Sequence, residues 1–416
     1  MEKTHLDILR VKDPAVADLL EREKERQMNG LELIPSENLV SGAVMEAMGS
    51  VATNKYSEGY ARKRYYSGNE VIDEIEELAI SLAKELFNAP HVNVQPLSGS
   101  PANMAAYMAL MELGDKLMAM RLDMGGHLSH GHKVNFSGKW YNVVHYPLNK
   151  ETEMLDYEMI RKMAMEEKPK VLVSGYSAYP RAIDFKQFKE IADECGAYSM
   201  ADIAHIAGLC CTGVHENPAP YFDVVTTTTH KTLRGPRGAM IMCKEELAEK
   251  IDKAVFPGLQ GGPHEHQIAA KAVAFREALQ PDFKKYAKQI VKNAKTLADE
   301  LTSKGFRLVS GGTDNHLILI DLQNLKISGK EGENALDRAG IYCNKNTIPY
   351  DPRKPWDPSG IRIGTPTLTT RGMKESEMKL IADFMHRVLK DVNNENEIKK
   401  VKTEVNELCK NFRFYT

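Results

Sequence analysis

The sequence has no long apolar segment and almost no net charge, and each absence narrows what the protein can be. No apolar run approaches the roughly 20 residues that cross a bilayer. The N-terminal stretch MEKTHLDILRVKDPAVADLL lacks the apolar core of a signal peptide, so we expect a cytoplasmic protein that does not bind membranes. With 55 basic and 57 acidic residues the formal net charge is -2, which gives no footprint for nucleic acid. A small-molecule partner is the better expectation.

The six cysteines show none of the spacings that bind metals or form redox pairs. They are scattered, without a CxxC motif, and we predict no metal site. The adjacent Cys210 and Cys211 are expected to be buried small apolar side chains. Fixed-period repeats and low-complexity linkers are absent as well, so the composition predicts ordinary globular domains.

Helical and extended patterns alternate between about residues 70 and 280. Apolar residues recur at helical spacing in EVIDEIEELAISLAKELF, whereas VLVSG, YSMAD and GAMIMC are typical of buried strands. This alternation predicts a largely parallel sheet covered by helices. After about residue 281 the pattern becomes that of a smaller α/β unit, and 416 residues exceed what one core usually organises. We therefore expect two domains.

A lysine at the end of a predicted strand is the strongest local signal. The stretch TTTTHKTLRGPRGAM, residues 226–240, opens with a β-branched run that favours a strand and continues through Lys231 into a loop rich in Arg and Gly. The segment YSMAD ends a neighbouring strand at Asp202. If both strands belong to one parallel sheet, Asp202 and Lys231 share one crevice at its carboxyl edge. A purely structural ion pair is the alternative interpretation.

A Gly-Ser turn adds a candidate anion site. Ser98, Gly99 and Ser100 precede a helical pattern, and backbone N–H groups at a helix N-terminus bind anions. Together with Asp202 and Lys231, this turn suggests a ligand with a phosphate at one end and a basic ring nitrogen at the other. Pyridoxal phosphate (PLP) fits, because a lysine forms its Schiff base and a carboxylate partners its ring nitrogen.

Motifs over nearly the whole chain resemble those of the serine hydroxymethyltransferase family. The resemblance implies an α/β fold of the PLP-dependent transferases of fold type I, with a mostly parallel seven-stranded sheet and a smaller C-terminal α/β domain. It also implies an arm at 1–55 that packs on a partner subunit, a PLP-binding domain at 56–280 and a small domain at 281–416. The motifs are LIPSEN, NKYSEGYARKRYYSG, QPLSGSPAN, GGHLSHG, SAYPRAIDF, ADIAHIAGL, VVTTTTHKTLRGPRG, VFPGLQGGP, NKNTIP and GIRIGTPTLTTRG.

The resemblance also implies an activity and a set of cofactor contacts. Serine and glycine would interconvert reversibly through an external aldimine and a quinonoid, and the one-carbon unit would pass to tetrahydrofolate or a modified pterin. Lys231 matches the Schiff-base lysine and Asp202 the partner of the ring nitrogen. The other positions that match cofactor contacts are His127, His205, Ser98, Gly99, Ser100, Ser177 and Arg237, with Tyr56, Gly261 and Gly262 supplied by a partner subunit.

Further positions match the family's catalytic and substrate-binding residues. Glu58 matches the catalytic acid, with Tyr65 beside it, and His230 and Thr228 flank Lys231. Arg362 matches the residue that binds the amino acid's carboxylate, and a planar guanidinium suits that role. Ser36 and Tyr66 would lie close to the same carboxylate. The positions that match folate contacts are Leu122, Gly126, Leu128, Glu58, Asn346, Lys354, Pro355 and Trp356.

The sequence leaves open the identity of the pterin, the exact activity and the oligomeric state. The segment Lys354-Pro355-Trp356 stands where the family often has Ser-Pro-Phe, so the identity of the pterin is undecided. A folate-independent PLP aldolase for threonine-like β-hydroxy amino acids is the alternative activity, and a rate increase with reduced folate would distinguish the two. A catalytically inactive scaffold or RNA-binding relative would lack Lys231, Asp202 or Arg362, all of which are present. A shared site requires at least a homodimer, and a tetramer is possible.

Overall fold

The computed structural model describes residues 7–415. Its α-helices are α1 (Asp7–Lys12), α2 (Pro14–Asn29), α3 (Gly42–Met48), α4 (Glu70–Phe87), α5 (Gly99–Leu110), α6 (Phe136–Trp140), α7 (Tyr157–Glu167), α8 (Phe185–Cys195), α9 (Ala207–Cys210), α10 (Ala248–Lys253), α11 (Glu265–Ala278), α12 (Pro281–Ser303), α13 (Gly329–Arg338), α14 (Pro366–Thr370), α15 (Glu375–Lys390) and α16 (Glu395–Lys410). Its strands are β1 (Leu31–Glu32), β2 (Gly59–Tyr60), β3 (Lys63–Arg64), β4 (His91–Asn93), β5 (Lys116–Met120), β6 (Asn142–Tyr146), β7 (Val171–Ser174), β8 (Tyr198–Asp202), β9 (Val224–Thr228), β10 (Ala239–Cys243), β11 (Arg307–Leu308), β12 (Leu317–Asp321), β13 (Ile341–Tyr342), β14 (Asn344–Asn346) and β15 (Gly360–Gly364).

A seven-stranded sheet with the order β4-β10-β9-β8-β7-β5-β6 forms the centre of the larger part. Only β10 runs antiparallel to its neighbours β4 and β9, and the remaining adjacent pairs are parallel. Strands β7, β9 and β10 are buried along their whole length, as expected when helices cover both faces of a parallel sheet. The predicted mostly parallel seven-stranded sheet is confirmed.

The two faces of this sheet belong to two apolar cores. Alternate residues of one strand point to opposite faces, so Met118 of β5 joins the core with α4, α8 and α11, whereas Leu117 joins the core with α5 and α10. Helix α8 begins where the Asp184 carboxylate accepts a hydrogen bond from the backbone N–H of Gln187, and it ends at Gly196.

A four-stranded antiparallel sheet with the order β11-β12-β15-β14 forms the smaller part. Its core includes Leu31 and Leu33 from the N-terminal segment, and β1 pairs in parallel with β13. Helix α12 contacts both cores, with Phe283 in the first and Leu301 in the second. The boundaries at residues 55 and 280 therefore remain a prediction, since both neighbouring segments contribute to more than one part.

The helices and the cysteines can be compared with the expectations from composition. Within residues 7–415, no helix has both the length and the apolar character needed to cross a membrane. The cysteines are free thiols. Cys210 is buried in the first core, as predicted, whereas Cys211 is half-buried at its edge.

Candidate active site

A cavity of about 1220 Å³ lies at the carboxyl edge of the large sheet. Strands β7, β8 and β9 end there, and they bring Ser177, Asp202 and Lys231 to its wall. Strands β8 and β9 are parallel neighbours, with Asp202 opposite Thr226. The predicted shared crevice for Asp202 and Lys231 is therefore present, at the edge where open α/β sheets bind ligands.

Three donors surround the Asp202 carboxylate. Nε2 of His130 and Nδ2 of Asn103 donate to Oδ2 over 3.0 and 2.9 Å, and the backbone N–H of Ala204 donates to Oδ1 over 3.1 Å. Burial alone would raise the pKa of Asp202, but the hydrogen bond from His130 and the nearby imidazoles lower it well below the usual range. Asp202 is therefore ionised at neutral pH.

Lys231 lines the cavity with its amine unpaired. Among residues 7–415, no side chain forms a hydrogen bond or an ion pair with Nζ of Lys231, whereas its backbone carbonyl accepts from Nδ2 of Asn38 and from the backbone N–H of Arg234. Burial lowers the pKa of Lys231 to about 8; Asp202 opposes this shift, and the charges of Arg362 and Arg237 add to it. An amine with this pKa is partly deprotonated, and so nucleophilic, near neutral pH.

The N-terminus of α5 meets β9 at the wall of the cavity. Ser98 is the N-cap residue, and its side chain makes no capping hydrogen bond, which leaves the first N–H groups of α5 without a side-chain cap. A Cβ atom on Gly99 would lie 2.9 Å from Cγ2 of Thr228, so only glycine allows this close approach. Ser98, Gly99 and Ser100 all line the cavity. Beside them, Nδ1 of His230 is buried and has no hydrogen-bond partner among the described residues.

Two imidazoles on the cavity wall are neutral at physiological pH. Burial and the neighbouring His130 lower the pKa of His127 to about 4, and Oγ of Ser129 lies 2.6 Å from its Nδ1. Burial and the charge of Lys231 lower the pKa of His205 well below its usual value. Neutral rings keep one donor and one acceptor each, and they avoid repulsion with the cations of the cavity.

Arg362 reaches the cavity from the smaller sheet. It lies on β15, its Nε donates to Oδ1 of Asn344 over 3.1 Å, and its Nη1 donates to the carbonyl of Ser177 over 2.5 Å. Burial lowers the pKa of Arg362 to about 10, so the guanidinium is still charged at neutral pH. Since Ser177 follows β7 of the large sheet, this contact joins the two parts of the molecule. Ser36 and Arg237 also line the cavity.

Apart from Glu58, which lies elsewhere, the positions predicted for folate divide into two groups. Lys354 and Trp356 do not line the cavity; the Trp356 side chain is 68% exposed, with Nζ of Lys354 lying 5.1 Å from the centre of its ring. The positions that do line it are Leu122, Gly126, Leu128, Asn346 and Pro355.

Six predicted site residues lie together on a separate exposed surface, which we call the Glu58 surface. Oε1 of Glu58 accepts a hydrogen bond from the Tyr56 hydroxyl over 3.3 Å, and a Cβ atom on Gly261 would lie 3.0 Å from the same oxygen. The Tyr65 side chain is 74% exposed. These residues do not line the cavity of their own chain. The Glu58 surface consists of Tyr56, Glu58, Tyr65, Tyr66, Gly261 and Gly262.

A buried group of charged residues, which we call the ion cluster, supports the Glu58 surface from below. Nη1 of Arg64 donates to the carbonyls of Ser57 and Gly59, which flank Glu58, over 2.8 and 3.0 Å. Oγ of Ser57 donates to Oε1 of Glu265 over 2.6 Å. The backbone on both sides of Glu58 is thus held from inside the molecule. The ion cluster consists of Arg64, Asp73, Glu76, Glu265 and Lys271.

Several residues that build these regions were not predicted from the sequence. His130 lies in the GGHLSHG motif, three positions after His127, and a second histidine so near the first was an available signal. Asn103 and His316 gave no comparable signal, since their contacts join segments far apart in the chain. Arg64 contacts carbonyls five and seven residues away within the motif NKYSEGYARKRYYSG, but nothing in the motif indicates that this arginine binds the backbone beside Glu58. Each of them orients a predicted residue or its backbone.

The polar groups around the cavity fit PLP. An unpaired amine of lowered pKa suits its aldehyde, an ionised carboxylate suits its ring nitrogen, and an uncapped helix N-terminus suits its phosphate. The orphaned Nδ1 of His230 marks a buried polar position on the same wall that a ligand can satisfy.

The chain matches the family model described as "Serine hydroxymethyltransferase" over residues 9–385. Members of this family are PLP-dependent glycine hydroxymethyltransferases of fold type I, and they use tetrahydrofolate as co-substrate. The predicted fold and cofactors are thereby confirmed. Because the match covers most of the 416 residues, the chain belongs to the serine hydroxymethyltransferase family.

Proposed function

We propose that the protein interconverts serine and glycine and passes the one-carbon unit to tetrahydrofolate or a modified pterin. The observation that carries this proposal is the convergence of Lys231, Asp202 and Arg362 on one cavity. They supply a nucleophilic amine, a fixed negative charge and a carboxylate-binding cation, which is the set that a PLP enzyme acting on an α-amino acid requires.

The proposed cofactor site uses groups from the large sheet. Lys231 would hold PLP covalently, Asp202 would face its ring nitrogen, and the α5 N-terminus at Ser98–Ser100 would hold its phosphate, with Ser177 and Arg237 as further contacts. When bound, the cofactor supplies an electron sink for the bond broken at the substrate's α-carbon. His130 and Asn103 keep Asp202 ionised, so its charge persists throughout turnover.

Arg362 would bind the carboxylate of serine or glycine. Two of its nitrogens are engaged by Asn344 and Ser177, which fixes the plane of the guanidinium and leaves its remaining N–H groups for the substrate. Ser36 lies on the same wall and would donate to the same carboxylate. The neutral His127 ring would pack against the cofactor ring, and His205, His230 and Thr228 would shape the space around the reacting carbon.

Folate would enter where Leu122, Leu128 and Asn346 line the cavity, with Gly126 and Pro355 beside them. Leu128 is 44% exposed, which places an apolar contact near the opening. Lys354 and Trp356 lie outside this wall, and we propose that they contact the outer portion of the pterin cofactor. The choice between tetrahydrofolate and a modified pterin would depend on this rim.

We propose that Glu58 serves the cavity of a second subunit. Glu58, Tyr56 and Tyr65 lie on the exposed surface away from their own cavity, and Tyr66 adds another aromatic ring 5.0 Å from that of Tyr56. A homodimer that brings the Glu58 surface to the partner's cavity would complete two composite sites. There Glu58 would exchange protons with the substrate hydroxyl and the pterin, and Gly261 and Gly262 would contact the cofactor. A tetramer would be compatible with the same pairing.

The test is turnover of serine by the PLP-reconstituted protein with and without tetrahydrofolate. The proposal expects glycine to form at a rate that rises strongly with the reduced folate. Cleavage of threonine or serine at a rate that folate leaves unchanged would favour the aldolase instead. A protein that binds PLP, but turns over serine with neither tetrahydrofolate nor a modified pterin, would contradict the proposal.

A further inference from the structure

A second buried histidine, His316, contacts His205 behind the cavity wall. Nδ1 of His205 and Nε2 of His316 lie 3.2 Å apart, and their ring planes differ by 30°. His316 is fully buried just before β12 and does not line the cavity. Its side-chain hydrogen bond to the lining of the cavity is the one to His205.

Both rings are neutral at physiological pH. Burial, with the charges of Arg362 and Lys231, lowers the pKa of His316 to about 3 and that of His205 well below its usual value. A hydrogen bond between two neutral imidazoles contains one proton, so one facing nitrogen donates and the other accepts. The direction of this bond decides which nitrogen of His205 carries its proton.

The other nitrogen of His316 settles the direction. Nδ1 of His316 is buried and has no partner among residues 7–415. A proton on Nδ1 would leave an N–H donor unsatisfied in the interior, which is rare, whereas an unpaired acceptor is tolerated more often. The proton of His316 therefore lies on Nε2 and is donated to Nδ1 of His205. The proton of His205 then lies on its Nε2.

The structure assigns to His316 the role of a positioning residue that holds His205 in its Nε2–H tautomer. His205 lines the cavity, and its Nδ1 edge faces His316, so its Nε2 edge presents a donor to the cavity. Beside the cations Lys231 and Arg362, this donor favours an anionic or hydroxyl oxygen of the ligand. Only the identity of that oxygen, on the substrate or on the cofactor, rests on the proposed function.

The tautomer is measured by nitrogen NMR of the apoprotein with ¹⁵N-labelled histidine. The signals of His205 are those that disappear in His205→Gln, and long-range couplings distinguish a protonated from an unprotonated ring nitrogen. We expect the proton of His205 on Nε2 in the wild type. A wild-type His205 that carries its proton on Nδ1 would overturn the assignment without any variant of His316.

Two variants of His316 separate the hydrogen bond from the volume of the ring. His316→Phe keeps the ring but donates nothing, and it should shift His205 toward a mixture of tautomers. His316→Gln keeps a donor near the position of Nε2 and should retain the Nε2–H form. An unchanged His205 tautomer in His316→Phe would contradict the role of His316.

Kinetics provide the second readout. We expect His316→Phe to lower kcat/KM for serine about tenfold, and His316→Gln by no more than about threefold, at equal PLP content. Equal losses in both variants would indicate a role in packing and overturn the proposal. The NMR result needs no cofactor and no turnover, so a failure of the proposed activity leaves it intact.

Discussion

Two lysines have pKa values lowered by burial, and they differ in what surrounds the amine. Lys231 faces the cavity, and its Nζ has no hydrogen-bond partner among the described residues. Lys271, in the ion cluster, donates to the carbonyls of Val94, Pro96 and Ala239 over 2.6, 3.2 and 2.8 Å. Burial lowers both pKa values, to about 8 and about 7, although Glu76 and Glu265 oppose the shift at Lys271.

The difference separates a lysine available for chemistry from one committed to structure. Three carbonyl acceptors satisfy all three donors of an ammonium, so Lys271 ties the end of β4 to β10 and has no capacity left for a ligand. All the hydrogen-bond donors on Nζ of Lys231, by contrast, are without a partner among the described residues. A lowered pKa alone does not mark a reactive group; an unpaired amine that opens to a cavity does.

The largest expected effect is the loss of turnover in Lys231→Ala. Removing the amine should lower serine turnover by at least about 1,000-fold. Since Nζ has no partner to lose, the free energy of unfolding of the apoprotein should not fall. Lys133→Ala, which removes an exposed lysine of the same cavity, is the control and should keep its activity. Turnover near the wild-type rate in Lys231→Ala would break the comparison.

The next effect tests the Glu58 surface, which rests on the ion cluster. Glu58→Gln should lower folate-dependent turnover about 100-fold or more, because a proton-transfer group is lost, while PLP and glycine still bind. A hybrid dimer of one Glu58→Gln and one Lys231→Ala chain, purified through two tags, should recover about half of the wild-type activity, since one of its two composite sites is intact. An inactive hybrid would show that both groups serve the same chain's cavity.

Lys271→Met should affect stability and leave chemistry nearly unchanged. It removes a donor from three buried carbonyls, of which that of Pro96 still accepts from the backbone N–H of Ala239, and we expect the free energy of unfolding to fall by about 3 kcal/mol. Urea unfolding measures this loss, and kcat of the folded variant should change by less than about threefold. Lys285→Met, at an exposed lysine paired with Asp282, should leave the stability unchanged. A stable but inactive Lys271→Met would reverse the roles assigned to the two lysines.

The smallest effect is a shift in the titration of Lys231. Competitive acetylation of the apoprotein, followed by mass spectrometry, should show Lys231 becoming reactive through pH about 8, below its ordinary pKa of 10.5. Asp202 raises this pKa, so Asp202→Asn should move the inflection to still lower pH. Lys271, enclosed by its acceptors, should stay unlabelled. If Lys231 instead became reactive around its ordinary pKa, burial would not lower its pKa, and this part of the comparison with Lys271 would be wrong.

The sequence predicted well what one element determines by itself. The threonine run of β9 and the end of β8 placed Lys231 and Asp202 at one edge, because β-branching indicates a strand and parallel strands share a carboxyl edge. Family motifs supplied Arg362 and Glu58, whose local patterns carry no such signal.

Contacts between segments far apart in the chain could not be predicted from the sequence. His205 and His316 are 111 residues apart, and the approach of Gly261 to Glu58 also joins segments far apart in the chain. Periodicity indicates which face of an element is buried, but the distance between two elements depends on the loops and crossovers that connect them. The division between the cavity and the Glu58 surface was likewise visible only in three dimensions.

Helix α12 contributes to two large apolar cores of the molecule. Its first half contributes Phe283 and Ile290 to one core, and its second half contributes Leu297 and Leu301 to the other. Unfolding either end of α12 would expose apolar surface in the core that this end contacts. Neither core can therefore unfold without destabilising the other. Calorimetry should therefore show a single unfolding transition. The hydrogen bond from Arg362 to the carbonyl of Ser177 then persists until the whole chain unfolds.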